Sequence, residues 1–345
     1  MRITIACALV IATGLGGAGS LSAAFASTLF ARNATDVKLS VGADGNKALV
    51  TYDVDGKQKH TLVFGAVNAL APSATAPQVE FTIDYTGGLK RVPGKKVCRT
   101  VVRRGKHVRV CSRSKPRVVL PFQNSCRPYD GPELAFLVVA CKAPDGSYWA
   151  IQRWQYWLPF FGFQPWLDYQ DDWALHISHW SGPIASLELY ADWIDTGQGP
   201  AAPHNLFGRL TYGGSPAYGF VVKPGGVPGD GYGRVVYIET YDSTFGAGWW
   251  RETGILTRNP SGVFCHALVP LKPYSNYPNQ SITPAGTGTR YRAYVEGPGA
   301  TPLVMTEVAD PGNFDPNDPA KVAHENETNA IIDRYAAEAG PCLRH

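Results

Sequence analysis

The sequence predicts an all-β protein: two antiparallel β-sandwich-like domains, a protruding basic hairpin and a C-terminal helix. Three observations predict it. The 345 residues include 37 Gly and 27 Pro, and these turn formers interrupt runs of β-branched and aromatic residues roughly every 8 to 12 positions, as in antiparallel sheets. Most of those runs alternate apolar and polar side chains with period 2, the pattern of half-buried strands. Near the end the pattern changes, with Asp318 as cap, Pro319 as first residue and Gly340-Pro341 as stop, which predicts one helix over 319–338. A chain of this length can bury two cores. We place an N-terminal β domain at 27–147, carrying a basic hairpin insert at 85–118, and an aromatic-rich C-terminal β domain at 148–345.

The first 26 residues read as a signal peptide. Met1-Arg2 is a short positive start, Ile3 to Leu21 is an apolar run diluted by Gly and Ala, and Ala24-Phe25-Ala26 is a small-x-small cleavage site before Ser27. A membrane anchor would be more uniformly apolar. No later apolar run reaches about 18 residues, so the mature chain is expected to have no transmembrane span and to be secreted, extracellular or associated with the cell surface. Val37–Val41, Ala48–Tyr52 and His60–Phe64 then alternate around Ala43-Asp44-Gly45-Asn46 and Asp53-Val54-Asp55-Gly56, which predicts a meander of three strands. Val79–Asp84 is a further strand, and Leu134–Ala140 another, ending at Cys141.

Between these two strands lies the most polarised segment of the chain. From Tyr85 to Tyr129 there are thirteen Lys and Arg and no Asp or Glu, whereas the rest of the chain after Ala26 has eighteen basic against 28 acidic residues. The molecule is therefore dipolar, with a basic insert on an acidic body. Arg104-Gly105 centres two mirror-image runs, a hairpin with a two-residue loop. In that register Cys98 faces Cys111 at a non-hydrogen-bonded pair, with Cα atoms about 4.5 Å apart, within disulfide range. Six cysteines beyond the leader, an even number, suit three disulfides in an exported protein. Proximity pairs Cys126 with Cys141, and elimination pairs Cys265 with Cys342. None has a C-x-x-C spacing, so no metal or nucleophilic role is expected of them, and no cofactor is expected.

Lys95, Lys96, Arg99, Arg103, Arg104, Lys106 and Arg109 are the candidate contacts to an anionic cell-surface polymer or glycan, whose binding would weaken with salt. The plain alternative is a solvated hairpin kept soluble by its own charge. Specific nucleic-acid binding is not expected, because no Phe, Tyr or Trp lies between Tyr85 and Phe122 to stack a base.

From Tyr148 to Trp193 there are seven Trp, four Tyr and three Phe. Exposed indoles such as Trp154, Trp157 and Trp166 could form a platform for sugar rings; the competing reading is that they fill a core. In Leu187–Ile194 the alternation puts Leu187, Leu189, Ala191 and Trp193 on one face, so Trp193 is expected to be buried, with Glu188, Tyr190 and Asp192 on the other. Further strands are expected at Leu206–Tyr212 and Ala217–Val222 around a Gly213-Gly214 turn, at Arg234–Thr240, Gly262–Leu268 and Tyr291–Val295. The stretch from Gly208 to Thr240 resembles a β-sandwich of the immunoglobulin or transthyretin kind. With phrases such as Asp145-Gly146-Ser147-Tyr148-Trp149-Ala150-Ile151-Gln152 and Leu175-His176-Ile177-Ser178-His179-Trp180, the exported pattern resembles uncharacterised secreted proteins of actinobacterial type. That group has no assigned activity, so the resemblance implies secretion and a β-rich fold and carries over no functional residue.

Catalytic signals are sparse. Asp172, with Asp168 and Asp171 beside it, and His176, His179 and Asp192 are the candidates for a glycan-directed hydrolase, which would need two of the carboxylates to converge. His176 and His179, three apart on a strand, should face opposite ways. Asp310, Asn313 and Asp315 are candidate calcium ligands on a Pro/Gly loop, although Asx turns explain the same residues. No P-loop, dinucleotide fingerprint or nucleophile elbow occurs. The favoured reading is a secreted non-catalytic binding or envelope-associated protein; the alternative is a secreted glycan-directed hydrolase using residues of the 168–204 region.

Overall fold

The structure, a computed structural model, describes residues 27–65, 81–119, 122–155, 173–194, 204–217, 234–241, 249–257, 261–268 and 289–339. Strands β1 (Thr28–Arg32), β2 (Thr35–Val41), β3 (Lys47–Val54), β4 (Lys57–Gly65) and β5 (Phe81–Asp84) come first. A basic arm follows as β6 (Lys90–Val92), β7 (Lys96–Arg103), β8 (Lys106–Arg113) and β9 (Arg117–Val119). Next are β10 (Leu137–Lys142), β11 (Tyr148–Gln155), β12 (Trp173–Trp180), β13 (Ser186–Trp193), β14 (His204–Tyr212) and β15 (Ser215–Pro216). Then come β16 (Arg234–Tyr241), β17 (Trp249–Thr257), β18 (Val263–Leu268), β19 (Arg290–Val295), β20 (Val304–Ala309) and helix α1 (Pro319–Ala339). The fold is all-β, with antiparallel sheets and a C-terminal helix, as the turn spacing and alternation predict.

The first sandwich packs sheet β2-β3-β4-β5 on sheet β1-β12-β11-β10. The β3–β4 turn works because Asp55 and Gly56 both take positive φ, 52° and 68°, the geometry that matches the twist of a two-residue hairpin. Val41, Val50 and Val63 meet Trp149, Ile151 and Ile177 in its core, all of them fully buried. Each such side chain contributes about 1.5–3 kcal/mol by leaving water. The second sandwich packs β13-β14, with β18 and β15 on the far edge of β14, against β17-β16-β19-β20. Leu189, Ala191 and Leu206 from one sheet meet Ile238, Tyr291 and Ala293 from the other. Helix α1 covers the outer face of β13-β14, where Phe207 and Val263 pack on Ile332 and Tyr335. Asp318 caps it, its carboxylate accepting from the Ala320 N–H at 2.9 Å.

Strand pairing runs across the expected division at residue 147. The turn after β10 closes through Gly146, at φ 90°, so β11 pairs with β10 and then with β12. β12 in turn pairs with β1, Thr28 opposite Ile177. Residues 148–155 and 173–180 thus complete the first sandwich, and the chain enters the second after Trp180. Composition shifts at 148, but a short turn between complementary strands decides where they hydrogen-bond. The sequence pattern does not predict β1, β6, β9, β11, β17 or β20. The two sandwiches meet where the outer face of β11 and β12 packs on the β19–β20 connection: Gln152 Oε1 accepts from Leu303 N–H at 2.9 Å, and His179 N–H donates to Ala300 O at 3.1 Å. Among the described residues no helix is long and apolar enough to cross a membrane.

Candidate functional site

The basic arm leaves the first sandwich from β5, the end strand of its sheet. Asp84 accepts from the N–H and hydroxyl of Thr86 at 2.8 and 2.7 Å, and Gly87 and Gly88 at positive φ turn the chain outward. A short stem of β6 on β9 follows, then the ribbon of β7 on β8. Arg104 and Gly105, at φ 52° and 72°, form the turn. Cys98 pairs with Cys111 in the register and is joined to it by a disulfide, with Cα atoms 3.9 Å apart. Every β8 residue is exposed, and in β7 all but Cys98 and Val101 are. Among the described residues no Lys or Arg between 90 and 115 forms an ion pair. The arm is thus a solvated cationic ribbon, stapled at the third of its residue pairs.

The second disulfide joins Cys126 to Cys141, tying the segment that follows the insert to β10. Cys265 is also disulfide-bonded; its expected partner, Cys342, lies outside the described residues.

The indoles divide sharply. Trp149, Trp180 and Trp193 are buried in cores or seams, and Trp193 Nε1 donates to Gly312 O at 2.7 Å. Trp173 is half-buried, with the Arg153 guanidinium 4.1 Å from its ring centroid. Trp157, Trp166, Asp168, Asp171, Asp172 and the side chain of Trp154 lie outside the described residues. No protein family, curated protein or solved structure matches this chain.

His176, His179 and Asp192 do not share a cleft. His176 lies on the outer face of β12, its Nδ1 3.2 Å from Ser27 O and 3.4 Å from Glu296 Oε1. Burial pushes its pKa down to about 4, against the opposing pull of the Ser27 carbonyl, so near neutral pH Glu296 is a polar neighbour and not an ion-pair partner. His179 faces the first core, stacked on Trp149 with ring centroids 3.8 Å apart. Its Nδ1–H donates to Gly65 O at 2.8 Å, and its Nε2 lies 2.8 Å from Ser147 Oγ. Burial lowers its pKa to about 4 as well. Asp192, expected on a polar outer face, is fully buried, because α1 packs over that face. Burial raises its pKa against the opposing pull of Thr328, the Trp193 N–H and His324, and among the described residues no group completes a hydrogen bond to either oxygen.

Two further polar clusters gave no sequence signal, because their members are far apart in the chain. In the first, Ser147 Oγ lies 2.7 Å from Asp145 Oδ1 as well as 2.8 Å from His179 Nε2. This is not a relay for nucleophilic attack: the carboxylate contacts the serine rather than the imidazole, and Ser147 is only 2% exposed. It clasps the 143–147 turn to β12. In the second, the Tyr291 hydroxyl bridges His204 Nδ1 and Asp310 Oδ2, donating to the carboxylate at 2.5 Å. Burial alone would raise the Asp310 pKa, but bonds to His204, Tyr291 and the Gly312 N–H outweigh it and the pKa is lowered. The calcium candidates are used within the loop itself: Asp310 Oδ1 accepts from Gly312 N–H at 2.6 Å, Asp315 from Asn317 N–H at 2.9 Å, and the Asn313 carbonyl from the Lys321 ammonium. Among the described residues no three His, Cys, Asp or Glu side chains are grouped to hold a metal ion.

Proposed function

We propose that this chain is a secreted, non-catalytic binding protein that attaches to anionic cell-surface material through its basic hairpin. The observation that carries this reading is the arm itself: a run of cationic side chains, exposed and without ion-pair partners among the described residues, held away from an acidic body by a stapled ribbon. Such a patch attracts polyanions over about 8–10 Å at physiological salt. The leader-like first 26 residues and the disulfides support export. Binding is favoured over hydrolysis because His176, His179 and Asp192 are taken up in separate packing roles.

The test compares the mature chain with a variant in which residues 90–119 are replaced by a Gly-Ser turn. Both are applied to immobilised polyphosphate, an acidic polysaccharide and anionic vesicles. Wild-type retention should fall steeply between about 0.05 and 0.5 M salt, and the variant should not be retained at low salt. Equal retention of the two proteins would sink the reading.

A further inference from the structure

We propose that one face of the hairpin inserts into the headgroup region of an anionic lipid bilayer, an inference that rests on the arm being the surface-binding element proposed above. The register defines the face. Side chains of directly opposed residues project together and alternate along the ribbon. The pairs Val97–Ser112, Arg99–Val110, Val101–Val108 and Arg103–Lys106 therefore share one side. The other side carries the disulfide, the pairs Lys96–Arg113 and Thr100–Arg109, and Val102 opposite His107.

The first side has an apolar centre and a cationic end. Val97, Val108 and Val110 are 58%, 42% and 37% exposed, whereas Val50 and Val63, in the sandwich, are fully buried. Among the described residues nothing covers these valines. A soluble polyanion needs only the charges, and threonine would favour the strand as well as valine does, so neither charge binding nor ribbon stability accounts for an apolar patch in water. A bilayer accounts for both parts of it. Arg103, Lys106 and the turn residue Arg104 meet lipid phosphates while their aliphatic stems lie along the apolar boundary, and the valines enter the region where headgroups give way to acyl chains.

The geometry fits a surface and not a groove. Eight residues per strand make a ribbon about 27 Å long, enough to lay this face along a membrane while the acidic body, repelled by the same lipids, stands off.

The experiment uses the full mature chain and the variant V97T/V101T/V108T/V110T, which keeps shape, strand preference and every charge. Co-sedimentation is measured with phosphatidylglycerol-containing vesicles and with pure phosphatidylcholine vesicles, beside binding to soluble polyphosphate, up to about 0.5 M salt. The wild type is expected to bind the phosphatidylglycerol vesicles, to keep part of that binding at high salt after polyphosphate has dissociated, and to ignore phosphatidylcholine. The threonine variant should bind the anionic vesicles about tenfold more weakly or worse, with unchanged binding to polyphosphate, which also shows that the arm is folded. Equal vesicle binding by the two proteins, or loss of vesicles and polyphosphate at the same salt, would overturn insertion and leave a polyanion binder. Failure of the wild type to bind either probe would remove the proposed function along with it.

Discussion

Asp192 stands opposite Asn205 in the β13–β14 ladder; of its neighbours, Ala191 packs in the second core and Trp193 is buried against Phe314 and His324. Alternation alone turns its carboxylate to the outer face, and that much is legible in the local sequence. The helix that covers this face lies more than a hundred residues further on, so its burial is not. The Thr328 hydroxyl on that helix lies near enough to Asp192 to pull its pKa down in part, but it donates to the His324 and Glu325 carbonyls, and among the described residues no group completes a hydrogen bond to either oxygen of Asp192. Burial raises its pKa above the ordinary carboxylate range. The folded state then holds this proton to higher pH than the unfolded chain does, so this residue's contribution to stability is full below the unfolded value and is lost as pH rises through the folded one. Asp192→Asn removes the charge at nearly constant shape. We expect it to stabilise the protein by about 1–3 kcal/mol at pH 7–8, with the gain vanishing below about pH 4; urea unfolding of both proteins across that range measures it. Equal stability at pH 7 would mean that the carboxylate finds a partner in solution. His176 and His179 act in the opposite sense: their pKa values of about 4 make them favour folding above their unfolded value of about 6.5 and withdraw that support as pH falls toward 4. The comparison with the asparagine variant separates the two effects.

Among the elements, β7–β8 and β3–β4 were legible because turn residues fix register locally. Arg104-Gly105 and Asp55-Gly56 set which residues oppose, and the pairing of Cys98 with Cys111 follows by counting outward. The β1–β12 pairing was not legible, since its partners lie about 150 residues apart and nothing near Thr28 specifies Ile177. The same local logic defines how the arm should fail. A two-stranded ribbon without a covering layer is marginally stable in water, and β7–β8 contributes no residue to the hydrophobic cores of the sandwiches. Replacing both Cys98 and Cys111 by alanine should therefore raise amide exchange across residues 96–113 toward unstructured rates, with β2–β4 and β11–β14 unchanged. Exchange read by mass spectrometry tests this directly. Protection that persists in the alanine variant would show that the strands hold together without the staple.

At the scale of the molecule, two cores share one chain, and Gln152 is where they are coupled. It is fully buried in β11, and its side-chain amide donates to Ala135 O at 2.8 Å and to Leu303 O at 3.1 Å, while its carbonyl accepts from Leu303 N–H at 2.9 Å. One side chain thus satisfies both backbone groups of a residue in the opposite sandwich. That role could not be read from sequence, because Gln152 sits in an alternating strand like any other polar residue and Leu303 is 151 positions away. Gln152→Leu would retain bulk but strand the buried N–H and carbonyl of Leu303 and the carbonyl of Ala135, at a cost of about 1–3 kcal/mol for each group that water cannot reach. Since each sandwich keeps its own core, the loss should fall on the coupling between them rather than on either one. The expected result in scanning calorimetry is that the wild type melts in one transition, whose van't Hoff and calorimetric enthalpies agree, whereas Gln152→Leu melts in two. A single transition, shifted down but still two-state, would place the coupling elsewhere along the seam, at the His179–Ala300 backbone contact or around the buried Trp180.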